Sequence, residues 1–235
     1  RRNSITEIPL EIFEQLRLHM KSNTYLRQLG FCGVTRTKGA EYIAGGIAAS
    51  ASLTSINLRA ICLGYEGAKC IAEGIAVSAS LTYVNLSLND IDPETGKEIG
   101  DAIRVSASLT NIDLSNNYLR DEGAKHIAKA ISVSASLMSI NLSGNYLGAD
   151  GAKHIAEGIS VSASLTSIDL SSNYLTDEGM EMGGIQAIAK AIGVSASLTS
   201  INLDANIDRD GTNHIATFIA VSAPLKNIDV QYCFP

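Results

Sequence analysis

Tryptophan is absent from this chain of 235 residues, and aromatic residues make up only 5% of it. A core must therefore be built from Leu, Ile, Val and Ala. The 46% hydrophobic content is ample for one and excludes an intrinsically disordered chain. Cysteine is scarce. Cys32, Cys62, Cys70 and Cys233 form no C-x-x-C pair, which excludes a disulfide scaffold and reads as the reduced thiols of a cytoplasmic protein. Positive charge is in deficit: 18 Lys and Arg face 24 Asp and Glu, a net charge of −6. That balance argues against electrostatic capture of nucleic acid or of an anionic membrane surface. Long apolar runs are missing as well. The stretch from Ile215 to Val221 is among the longest and is interrupted by Thr217, far short of the roughly 20 residues that span a bilayer. A targeting signal is not visible at Arg1-Arg2-Asn3, and two N-x-S sequons, at Asn85 and Asn141, fall within expected strands.

What is abundant is repetition. Ser-Ala-Ser-Leu recurs at Leu53, Leu81, Leu109, Leu137, Leu165 and Leu198, with weaker relatives at Leu26 and Leu225. The spacings are 27, 28, 28, 28, 28, 33 and 27 residues, so eight strand phrases account for nearly the whole chain. Within a unit the apolar period changes once. Leu137, Ile140 and Leu142 alternate with polar Ser139, Asn141 and Ser143, a short strand with one buried face. Ala152, Ile155, Ala156 and Ile159 then follow helical spacing, with small residues that let the helix lie close to the sheet. Acids mark the helix starts at Glu66, Glu94, Glu122, Asp150, Glu178 and Asp210, where the helix dipole favours negative charge. Lys69, Lys97, Lys125 and Lys153 follow the first four of them by three residues, which predicts local ion pairs on a solvated face.

Strand and helix in alternation predict parallel pairing through right-handed crossovers. Strands sit about 4.8 Å apart and helices about 10 Å, so stacking in register bends the array, with strands inside and helices outside. The expected fold is an α/β solenoid: a horseshoe arc with a parallel sheet on the concave face and helices on the convex face. Residues 1–25 are expected to form an N-terminal capping helix segment, with Phe13, Leu16 and Met20 inward, and residues 26–235 one continuous repeat domain. The phrase from Leu225 to Val230 is followed by no further helix pattern, so the C-terminal sheet edge is expected to meet a second copy or further sequence.

The pattern L-T-x-I-D-L-S-x-N-x-L followed by D-E-G-A-K-H-I-A resembles the leucine-rich repeat of the ribonuclease-inhibitor-like subfamily, over roughly residues 10 to 235. The resemblance implies that Asn89, Asn117, Asn145, Asn173 and Asn206 are a structural ladder whose amides satisfy backbone groups of neighbouring turns. Val34 and Ile61 stand at that place in the first units, where less regular turns are expected. Similar arrays serve ribonuclease inhibitor, the Ran GTPase-activating protein, tropomodulin and the sensor halves of NOD-like receptors. The fold is thus far more closely specified than the function.

Chemistry is thin. Asn57, Asn85, Asp113, Asn141, Asp169, Asn202 and Asp229 should line the concave face, and no two Asp are neighbours. Asp113 and Asp169 lie two strands apart, near 10 Å, too far for a carboxylate pair; an Asn donating to its Asp neighbour is the expected arrangement. His126, His154 and His214 share an outward helix position and do not suggest shared metal ligation. No P-loop, dinucleotide fingerprint or nucleophile–base pair is present. We therefore expect no enzyme, no metal and no cofactor.

What distinguishes the repeats is a set of partner-binding candidates. Arg59, Tyr83 and Met138 interrupt an otherwise plain Ser/Thr/Asn/Asp face. Tyr118, Tyr146 and Tyr174 form a column just after the structural Asn. Met180 and Met182 sit in the five-residue insertion of the 33-residue unit. The tyrosines have two readings, rings stacked for stability or rings pointing outward as binding anchors. The leading function is a protein-binding scaffold. The alternatives are a GTPase-activating protein of the Ran type, for which Arg59 is the slender basis, and the sensor fragment of a NOD-like receptor.

Overall fold

The computed structural model describes residues 9–31, 37–176, 182–206 and 224–230. After helix α1 (Leu10–Ser22), strands and helices alternate as β1 (Gln28–Gly30), α2 (Thr37–Ala49), β2 (Ser55–Asn57), α3 (Gly64–Val77), β3 (Tyr83–Asn85), α4 (Pro93–Val105), β4 (Asn111–Asp113) and α5 (Arg120–Val133). They continue as β5 (Ser139–Asn141), α6 (Gly148–Val161), β6 (Ser167–Asp169), α7 (Gly183–Val194), β7 (Ser200–Asn202) and β8 (Asn227–Asp229). The strands form one parallel sheet in chain order from β1 to β8, without a break at the insertion between β6 and β7. Each helix packs on the helices before and after it, giving the open right-handed arc that the unequal strand and helix spacings require.

Only the middle residue of each inner strand points into the core: Ile56, Val84, Ile112, Ile140, Ile168 and Ile201 are buried and lie in register. The leucines of the repeated phrase and the helical Ala–Ile pairs complete a single apolar column. At its N-terminal end, α1 inserts Phe13 and Met20, both fully enclosed, and Phe13 stacks on Phe31 at 6.2 Å.

The recurring Ser-x-Ser-Leu-Thr has a hydrogen-bonding cause. The first serine ends each helix in an extended conformation, and its Oγ accepts from the leucine N–H, as Ser134 does from Leu137 at 3.2 Å. The second serine donates to the turn before, as Ser136 does to the Ser106 carbonyl at 2.9 Å. The threonine donates likewise, Thr110 to the Thr82 carbonyl at 3.0 Å. Met138 stands where a threonine would, without a hydroxyl, and is exposed.

Of the expected lysine pairs, Lys125 holds Glu122 at 3.1 Å and Lys153 holds Asp150 at 2.8 Å. Lys97 departs from the expectation: it reaches Glu98 at 3.7 Å instead of Glu94. The start of α4 is built differently from its neighbours, with Asp92 accepting from the Thr95 N–H and Pro93 in the first turn, which accounts for a different lysine partner.

Candidate functional site

The concave face is polar, and its chemistry is consumed locally. Each Asn or Asp closing a strand folds its side-chain oxygen onto the N–H two residues later: Asn57 to Arg59, Asn85 to Ser87, Asp113 to Ser115, Asn141 to Ser143, Asp169 to Ser171 and Asn202 to Asp204. These bonds turn the chain out of the sheet. The cross-strand bond expected from residue type forms between Asn202 and Asp169 at 3.2 Å. The column is therefore chiefly a row of turns, and the carboxylates Asp113 and Asp169 are occupied in it.

Below it runs the row of buried asparagines. Asn145 donates to the carbonyls of Leu114, Leu142 and Ser143 at 2.9, 3.0 and 3.2 Å. Its own N–H meets the Asn173 side-chain oxygen at 2.8 Å, and Asn117 and Asn206 make corresponding contacts. Asn89 begins the row, accepting from the N–H of Ile61, which is itself buried.

The row of asparagines fixes the tyrosine column. Tyr118 and Tyr146 stack with ring centroids 5.8 Å apart and planes 9° apart, and Tyr146 and Tyr174 at 5.9 Å and 16°. The rings nevertheless remain 46%, 52% and 58% exposed. Both sequence readings thus describe real features, and the backbone separates their weight. Tyr146 and Tyr174 have φ of +57°, a left-handed conformation rare for a bulky side chain. Two stacked pairs contribute about 1–3 kcal/mol beyond area burial, while two left-handed tyrosines cost about 2–4 kcal/mol. Stacking alone therefore does not outweigh the backbone strain.

An open cleft of about 430 Å³ lies beside the stack, lined by Tyr118, Arg120, Asp121, Tyr146, Gly148 and Asp150 among others. Arg120, Asp121 and Asp90 did not stand out in the sequence. Asp90 was legible there, because it holds the tyrosine position one turn earlier. Glu122 and Asp150 are held below the usual carboxylate range by hydrogen bonds from Lys125 and Lys153.

The remaining candidates are dispersed. Tyr83 opens β3 on the concave face and is exposed. Arg59 extends along the array and donates to the Ser87 hydroxyl at 3.1 Å. Met182 precedes α7, half-buried, and Met180 lies outside the described residues. On the convex face, burial, followed by the Lys129 charge, lowers the His126 pKa. His154 lies 3.9 Å from Glu157, and His214 is outside the described residues. Among the described residues there is no cluster of three or more possible metal ligands, and no helix is long and apolar enough to cross a membrane. Burial and the nearby Glu73 raise the Cys70 thiol, which favours its unreactive form.

Fold and rim together define a solenoid protein with an exposed sheet face. A leucine-rich-repeat family model matches residues 77–100, 105–128, 133–156 and 161–182. The chain is a leucine-rich-repeat protein. Comparison with curated sequences gives no significant match. Among solved structures it is similar to actin-binding site 2 of leiomodin-1, with TM-score 0.54 and 18% identity over 67% of this chain and 90% of the other. It is also similar to the tropomodulin C-terminal domain of Caenorhabditis elegans, with TM-score 0.53 and 15% identity over 66% of this chain and 92% of that one. A leucine-rich-repeat-containing protein of Legionella pneumophila gives TM-score 0.44 and 19% identity over 82% and 70%. At these identities the likeness is one of fold.

Proposed function

We propose that the chain is a non-enzymatic protein-binding scaffold of the ribonuclease-inhibitor-like type, which engages its partner through the concave face and the strand-to-helix rim. The observation that carries this reading is the half-exposed stack of Tyr118, Tyr146 and Tyr174, held in a strained backbone beside a sheet face lined with short polar side chains. Tyrosine and methionine are effective interface anchors, which extends the surface to Tyr83, Met138, Met180 and Met182. Its similarity to a leiomodin-1 segment named as an actin-binding site agrees with a protein partner. In the same reading residues 1–25 serve as the N-terminal cap, the protein works in the reducing cytoplasm, and the outer edge of β8 meets a second copy or further sequence. Arg59, already bonded to Ser87, gives the GTPase-activating alternative little support.

A photo-crosslinking amino acid placed at Tyr146 (rim), Ser139 (concave strand) or Ser132 (convex helix) tests the reading. Crosslinks to one partner from the first two positions and none from the third are expected. Crosslinks only from Ser132 would overturn it.

A further inference from the structure

We infer that the tyrosine rim takes a basic, extended segment of the partner, with one arginine or lysine side chain seated on the outer face of Tyr118 beside Asp90; this rests on the scaffold reading above. Tyr146 covers one face of Tyr118, with planes only 9° apart. The other face looks along the array to the preceding turn. There Asp90 holds the column position, and the adjoining Asn89 N–H bonds the Asn117 side chain at 2.9 Å. Asp90 is exposed, and the exposed Leu88 flanks it. A cation over a tyrosine face is attracted by the ring quadrupole, and a carboxylate beside it adds a counter-charge. An apolar neighbour such as Leu88 suits the aliphatic stem of a long basic side chain.

Charge complementarity selects this occupant. Glu122 and Asp150 are already matched by Lys125 and Lys153. Asp90 and Asp121 carry no ion pair among the described residues, and the chain as a whole has a net charge of −6. Spacing agrees as well. Alternate side chains of an extended peptide recur at about 6.6–6.8 Å. The rings recur at 5.8 and 5.9 Å, so successive same-side residues meet successive turns.

The test uses the full chain and a fluorescein-labelled octapeptide of alternating Arg and Gly, with Glu-Gly and Ser-Gly octapeptides as controls, read by anisotropy at physiological salt. Saturable binding of the Arg-Gly peptide alone is expected. Tyr118→Ser should weaken it at least about tenfold and Asp90→Asn about threefold, in line with a desolvated cation–aromatic contact and a flanking surface charge. Glu157→Gln, the same charge change on the exposed convex face, should leave it unaltered. Circular dichroism confirms that each variant is folded. Equal binding of the Ser-Gly peptide, or equal weakening by Asp90→Asn and Glu157→Gln, overturns the inference. If Tyr118→Ser abolishes binding while Asp90→Asn does nothing, the rim binds without charge selection: the inference fails and the scaffold reading stands. If neither variant matters, the rim is not the site and both fail.

Discussion

A single side-chain amide carries an unusual share of this architecture. Asn145 is fully buried and donates to three carbonyls from two turns, while its oxygen accepts from the Leu119 N–H at 3.4 Å. No water can replace those contacts in an enclosed row. Replacing Asn145 with Ala should therefore cost about 3 kcal/mol or more, since each buried group left unpaired costs about 1–3 kcal/mol. Asn141→Ala removes one turn bond at a half-exposed strand end, from the Ser143 N–H, and should cost about 1 kcal/mol. Urea unfolding of the two variants checks the contrast; equal losses would show that the buried row is not the stronger element.

Among the elements, the helices stack more closely than their side chains suggest. Added at Gly158 of α6, a Cβ would lie 2.7 Å from the Ala128 carbonyl oxygen and 3.2 Å from its Cα, so α5 and α6 touch backbone to backbone there. Helix propensity alone predicts that Gly158→Ala stabilises by about 1 kcal/mol. The contact reverses the sign, because overpacking against an immobile carbonyl costs about 1–3 kcal/mol on top of that gain. A lowered melting temperature is expected, and a raised one would mean that the helices can move apart freely. The opposite edge of the same helices shows a different economy of packing. Val77, Val105, Val133, Val161 and Val194 stand exposed in a column at the helix C-termini, where the chain turns back to the sheet.

For the molecule as a whole, each turn is bound only to its neighbours, so stability should behave as a sum of repeat and interface contributions. Deleting residues 134–161, a run of 28, joins Val133 to Ser162 and brings β6 beside β4 with every serine, asparagine and tyrosine row in register. This shortened chain should still unfold cooperatively, with a melting temperature lowered on the order of 10 °C. Deleting residues 136–161, two fewer, leaves the helix-ending serine misplaced and should abolish the cooperative transition. Differential scanning calorimetry of the two chains distinguishes them. A folded 26-residue deletion would show that register is not enforced by the rows.

The sequence by itself determined the solenoid: a period near 28 residues, one change from strand to helix per unit and an asparagine at a fixed place leave few other ways to bury the leucines. Those signals survive without coordinates because they are local and repeated. Side-chain destinations were less legible, since residues of one type serve different ends. The valine preceding each Ser-Ala-Ser has the same apolar signature as the core isoleucines yet points to solvent, and only packing reveals it. Asn141 and Asn145 lie four residues apart and differ in burial because one closes a strand and the other enters the turn beneath it. The tertiary structure alone decided that the tyrosine rings both stack and stay half-exposed, in a left-handed backbone at Tyr146 and Tyr174. That outcome depends on the angle at which each turn leaves the sheet, which is set by the row of buried amides beneath and by no residue of the column itself.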